Sequence, residues 1–218
     1  KGEGLDDLQH CLENLFGYPA KAGLWETDIL PSRLAPYYSS WLDSALRDND
    51  LVWFGTGNER VGFCFEPDYD LFAGKTAADM VEDDNPDGSE KPNPDKTGDD
   101  GTIDDQKVEH RELADAMEKL RDFFRESKGK YGLGDLMQAT GVPSKVLTRA
   151  LWQLTWDGVI SNDHFKTVRE GLMNRFRPLE AEEVSTPRSR PVAGRGRRRL
   201  NFNRWKSSRS FSGHWFAL

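Results

Sequence analysis

The residues best suited to contact chemistry lie together between Lys145 and Asp157. On a helical wheel of about 100° per residue, Leu147, Ala150, Leu151 and Leu154 share one face. Lys145, Thr148, Arg149, Trp152 and Trp156 share the other. Cations beside indole rings can hold phosphates while unpaired bases stack. Lys145, Thr148 and Arg149 are therefore candidate nucleic-acid contacts. Trp152 and Trp156 are candidates either for base stacking or for packing against another module or the chain's tail. Packing is the simpler reading, because an exposed tryptophan pair is an apolar patch that monomers avoid. A second candidate contact is the basic run holding Arg195, Arg197, Arg198, Arg199, Arg204 and Lys206. Such a run gives a salt-sensitive grip on phosphates, or it is a solvated loop.

Other chemistries find little support. His10, His110, His164 and His214 are scattered without metal-ligand spacing, and Cys11 and Cys64 form no CxxC pair. No metal site is expected, and the two thiols read as small core residues of a reducing compartment. No serine sits in a GxSxG context and no GxxxxGK[ST] phosphate loop occurs. No catalytic residue is assigned. No signal peptide or long apolar run marks a membrane span. The first residue is Lys1 rather than Met, which reads as a piece of a longer protein.

These residues need elements to hold them. The apolar residues concentrate in three blocks, 5–72, 108–177 and 200–218, although the mean hydropathy is -0.74. Between Glu66 and Asp105 there are 14 acidic and 3 basic residues, whereas Arg175–Ser210 carries 11 basic and 3 acidic ones. The net charge of -7 thus averages an acidic middle and a basic tail, an asymmetry that can mark a nucleic-acid-facing end beside a solvating spacer. The acidic stretch is rich in Pro, Gly and Asn and cannot bury enough apolar surface to order itself.

In the first block, Leu5, Leu8, Leu12 and Leu15 have helical spacing. A short helix is expected over Ile29–Leu34, and a third opening at Pro36. Leu51–Phe54 and Arg60–Phe65, split by Gly55–Glu59, predict a hairpin. The second block repeats the order. Helices are expected over Gln106–Glu126, Leu133–Ala139 and Lys145–Asp157, with Ser144 as N-cap and Gly158 ending the last. A strand starts at Val159, and residues 211–218 supply a closing strand. Short helix, Gly-containing turn and second helix form a helix-turn-helix pattern.

The expected fold is therefore α+β and helix-rich, with tandem winged-helix-like modules carrying short hairpin wings. The expected boundaries are a first module over 1–72, a disordered acidic linker over 73–105, a second module over 106–177, a basic loop over 178–210 and a terminal strand over 211–218.

Several segments resemble one family. Ala150–Asp163 is similar to the A-L-W-D-L-V-W-A-G-L-V-T-N-D segment of large helicase-related (Lhr) proteins. Phe165–Arg169 fits the F-x-x-L-R that follows it there, and Ser212–Leu218 resembles G-R-W-S-L, with His214 in the place of the Arg. Upstream, Trp25–Arg33 resembles W-E-x-E-V-L-P-A-R, Leu51–Gly55 resembles L-V-W-V-G, and Arg60–Phe63 resembles R-V-A-F.

The resemblance implies a superfamily 2, ATP-dependent 3′-to-5′ DNA or RNA helicase. This chain would come from its C-terminal region, without the motor, and would act in DNA repair. ATP and Mg are implied for the parent's core and no cofactor is expected here. Implied partners are single-stranded or partly duplex DNA, or RNA, and the helicase core, with a homo-oligomer as a further option. The implied location is cytoplasmic, on the nucleoid. Two alternatives remain: a purely structural or oligomerisation module, and a DNA glycosylase-like repair domain, which would need a carboxylate in a base-sized pocket.

Overall fold

The computed structural model describes residues 4–74, 103–177 and 212–218. The expected linker and basic loop lie almost wholly outside the described residues. The described residues form an α+β fold rich in helix, with two small antiparallel sheets.

The first half opens with α1 (Leu5–Glu13), whose Leu8 and Leu12 are fully buried. The Gly4 amide donates to the Asp7 carboxylate at 3.2 Å, giving one orphan amide near the helix start a partner. A two-residue strand, β1 (Ala20–Lys21), leads into a helical stretch over 22–33 (α2), whose middle turn, Trp25–Ile29, is π-helical. Helix α3 (Ser39–Asp48) starts three residues after Pro36, later than expected. The hairpin is as the turn chemistry predicts: β2 (Leu51–Gly55) and β3 (Arg60–Phe65) pair with Trp53 opposite Phe63. Strand β1 adds to the far side of β3, giving the order β1-β3-β2. Two residues carry too little pattern to be read as a strand in sequence. Trp25 joins α2 to this sheet: its indole donates to the Val61 carbonyl at 3.0 Å and its ring meets Phe63 edge-on at 4.7 Å.

The second half repeats that order. It runs through α4 (Ile103–Glu126), a bridge at Tyr131, α5 (Leu133–Thr140), α6 (Ser144–Trp156), β4 (Ile160–Asn162), α7 (Lys166–Asn174) and β5 (Trp215–Ala217). Tyr131 pairs with Trp215 on one side of β5 and β4 pairs on the other, so the strand sequence matches that of the first half. Here β4 and β5 are not a tight hairpin, since α7 and a long segment intervene. Gly141, at φ +66°, closes α5 in the left-handed conformation that glycine tolerates best. Pro143, not Ser144, is the N-cap of α6, and no side chain caps it.

The halves share one hydrophobic core. Strand β2 lies along β4 without backbone pairing, and side chains bridge them instead. The Trp53 indole donates to the Asn162 carbonyl at 2.7 Å, and the Ser161 hydroxyl donates to the Trp53 carbonyl at 2.5 Å. Phe165 packs edge-on against Trp53 and tilted against Phe63. At Gly55 a Cβ would stand 1.9 Å from the Thr155 carbonyl oxygen, so only glycine lets β2 approach α6 this closely. The Gly57 amide donates to the Trp156 carbonyl at 3.1 Å, and the Tyr69 hydroxyl donates to the Gly158 carbonyl.

Candidate nucleic-acid interface

Helix α6 is buried on most of its circumference. Its apolar face enters the core as the wheel predicts, with Leu147, Ala150, Leu151 and Leu154 all inaccessible. The structure buries two residues of the other face. Thr148 and Trp152 are each only 3% exposed. Thr148 is therefore not on a phosphate-facing surface, and Trp152 packs rather than stacks on a base. The cause is tertiary: α4 lies along one flank of α6, while α7 and β5 cover another, so three faces of the helix meet protein. A wheel drawn for one core face cannot foresee this.

The exposed edge of α6 is narrow. Lys145, Gln153 and Asp157 are exposed, while Arg149 and Trp156 are half-buried. Arg149 pairs with Glu109 of α4 at 3.2 Å. The Gln153 amide donates to Asp157 at 3.0 Å, and Arg121 meets the same carboxylate at 3.5 Å. Such surface ion pairs are worth at most about 1 kcal/mol, so Arg149 can exchange its partner at little cost. Arg195, Arg197, Arg198, Arg199, Arg204 and Lys206 lie outside the described residues.

The tryptophans form an aromatic cluster. Trp152 and Trp156 stack at 5.3 Å and 20°. Phe176 stands across both, at 4.7 and 5.0 Å. Trp215 of β5 meets Trp152 edge-on at 5.5 Å, so the closing strand supplies part of the packing surface.

Two polar clusters escaped the sequence reading. Arg169 of α7 reaches into the first half, where its guanidinium meets Glu26 at 2.5 Å and Asp43 at 2.8 Å and donates to the Ser39 carbonyl at 3.1 Å. Burial works against its charge, but the hydrogen bonds to both carboxylates prevail and hold its pKa above the ordinary value. Tyr37 donates to Glu26 at 2.6 Å. Burial and that bond push its hydroxyl pKa well up. Arg169 sits in a quoted family segment, which was the available signal; its partners over a hundred positions upstream were not visible.

The second cluster surrounds Asp163. His164 Nδ1 lies 2.7 Å from one carboxylate oxygen and His214 Nδ1 lies 3.1 Å from the other, while the His214 amide donates at 2.7 Å. Burial raises the Asp163 pKa, but the hydrogen bonds from both histidines outweigh it and hold the carboxyl below its usual value. The cluster joins the start of α7 to the turn before β5. Among the described residues no group of His, Cys, Asp and Glu could hold a metal ion, and no helix is long and apolar enough to cross a membrane.

Residues 1–65 match the family described as large helicase-related protein, winged-helix domain. The chain is 27% identical over 175 residues to a protein named Lhr helicase/uracil glycosylase from Escherichia coli (strain K12), covering 77% of this chain and 10% of that protein. It is 25% identical over 190 residues to one named Lhr helicase/probable uracil glycosylase from Mycolicibacterium smegmatis, covering 85% of this chain and 11% of that protein. The chain thus spans about a tenth of the length of the curated relatives it matches.

Proposed function

We propose, from the premise that this chain resembles large helicase-related proteins over most of its length, that it is an accessory nucleic-acid-binding and assembly region of such a helicase. In this reading the two halves are tandem winged-helix modules, and the motor that would use ATP and Mg lies elsewhere in the parent. The observation that supports the reading is the repeated helix–strand order, which fits two winged-helix-type units sharing one core. Two halves joined through one core hold Lys145 and Arg149 on a fixed edge of α6, which suits contact with a phosphate backbone.

The contacts proposed are Lys145 and Arg149 on the exposed edge of α6, together with Arg195, Arg197, Arg198, Arg199, Arg204 and Lys206. The partner is DNA, single-stranded or partly duplex, or RNA. The test is fluorescence-anisotropy binding to single-stranded and duplex DNA over a salt series. Affinity should fall steeply with salt, and changing Arg195, Arg197, Arg198 and Arg199 to Ala should flatten that dependence by roughly 3 in log–log slope on single strands. An absence of binding at low salt would sink the reading and leave a scaffold.

That scaffold is the second reading. It is favoured by Leu24, Leu172 and Met173, which are exposed apolar residues. The printed names of both relatives also mention uracil glycosylase. The half-buried Asp163 is the carboxylate such chemistry would draw on, but both its oxygens are engaged by histidines, which favours a structural role.

A further inference from the structure

We propose that the outer edge of the Trp152–Trp156–Phe176 cluster is a stacking site for an unpaired base of a single-stranded nucleic acid. In this site Arg175 and Arg177 hold phosphate on one flank, and Lys145 and Arg149 hold it on the other. The proposal rests on the nucleic-acid reading above and gives that reading a substrate class and a site.

Trp152 and Trp156 are nearly parallel, and Trp152 is buried whereas Trp156 is partly open. Phe176 is close to perpendicular to both and almost equidistant from them, at 4.7 and 5.0 Å. A ring equidistant from two stacked rings stands beside the stack, not over its end. Neither Trp152 nor Phe176 therefore covers the outer face of Trp156. The exposed part of Trp156 beside a phenyl ring offers a surface every base can use, because every base has a π-face.

Arg175 and Phe176 both take left-handed backbone conformations, at φ 56° and 55°. Two such non-glycine residues in succession are uncommon, and strained backbone of this kind clusters at ligand clamps. The strain turns the chain back so that the Phe176 amide donates to the Gly171 carbonyl at 2.7 Å. Gly171 makes room: a Cβ there would stand 2.4 Å from the Phe176 ring and 2.9 Å from Trp152.

Arg175 and Arg177 are exposed and neither has an ion pair among the described residues. On the wheel Lys145, Arg149 and Trp156 fall within about 40° of one another, so cations precede the indole along the same edge. Among the described residues Arg149 has one ion pair, its surface contact with Glu109. Arg175 and Arg177 stand on either side of Phe176 in the chain, and Lys145 and Arg149 precede Trp156 along α6, the kind of arrangement expected where a backbone passes a base-stacking surface.

The test is anisotropy of a labelled oligo-dT over a salt series with the full chain, comparing the parent with Trp156→Ala, Trp156→Phe and Arg175→Ala/Arg177→Ala, each checked for fold by circular dichroism. Trp156→Ala should weaken binding about tenfold with an unchanged salt slope. Trp156→Phe, which keeps a stacking face, should stay within about threefold of the parent. The double arginine variant should reduce the slope by about 1.4, the value for two phosphates on a single strand. If the parent binds and Trp156→Ala binds equally well, this site is wrong and the broader nucleic-acid reading stands. A Trp156→Phe loss as large as that of Trp156→Ala also overturns it, since the effect is then not stacking. A parent that does not bind at all removes both. A dimer in sedimentation velocity that is abolished by Met173→Glu, with oligo-dT binding unchanged in Trp156→Ala, would assign the face to a second copy instead.

Discussion

Gly55 and Asp163 show how much single positions carry here. Adding a methyl group at Gly55 drives it into the Thr155 backbone, and backbone cannot swing aside as a side chain can. Gly55→Ala should therefore cost about 1–3 kcal/mol, read as a lower urea midpoint with an unchanged slope. For Asp163 the sign follows from its depressed folded-state pKa. A carboxyl held below its ordinary value stabilises the fold at pH above that value, and the contribution is lost as pH falls through the folded one. Asp163→Asn should thus be less stable than the parent at pH 7, and its stability should vary less below about pH 4. A urea series across pH 2–7 measures both. The two thiols belong to the packing: burial pushes Cys64 up to about 12 and raises Cys11, so neither is a ready nucleophile.

At the scale of elements, α6 and α7 divide the work. Helix α6 is the centre of the second half and offers one narrow edge to solvent. Helix α7 is the clamp, because Arg169 ties it to α2 and α3 of the first half. Arg169→Ala would leave Glu26 and Asp43 partly buried without their cation. We expect a loss of about 2–4 kcal/mol, between the values for surface and buried pairs. Arg169→Lys should recover little of it, because an ammonium cannot reproduce the forked geometry. If Arg169→Ala melts like the parent, the clamp contributes nothing to stability. Long periodic elements were legible in sequence, including α1, α6 and the β2–β3 hairpin. Strand β1 and the single-residue bridge at Tyr131 were not, because their existence depends on a partner strand rather than on local pattern.

For the molecule as a whole, the decisive feature is the seam. Trp53, Gly55, Gly57 and Tyr69 of the first half meet Ser161, Thr155, Trp156 and Gly158 of the second through buried hydrogen bonds and close backbone contact. Two units so joined should unfold in a single transition, with tryptophan fluorescence and far-ultraviolet circular dichroism giving coincident midpoints. The same Arg169→Ala variant tests this: separated midpoints would mean that the clamp is what couples the halves.

The sequence by itself determined the helix periodicities, the hairpin turn, the acid–base asymmetry and the family segments, because each is written in local residue types and spacing. It also presented two tryptophans as one question, with stacking and packing both open. Only the tertiary structure separated them. Burial depends on which elements arrive from elsewhere in the chain, and α4, α7 and β5 close around Trp152 and Thr148 while leaving an edge of Trp156 open. Likewise Arg169 reads as an ordinary charged residue until folding brings Glu26 and Asp43 within 3 Å of it, since a partner more than a hundred residues away leaves no trace in local pattern.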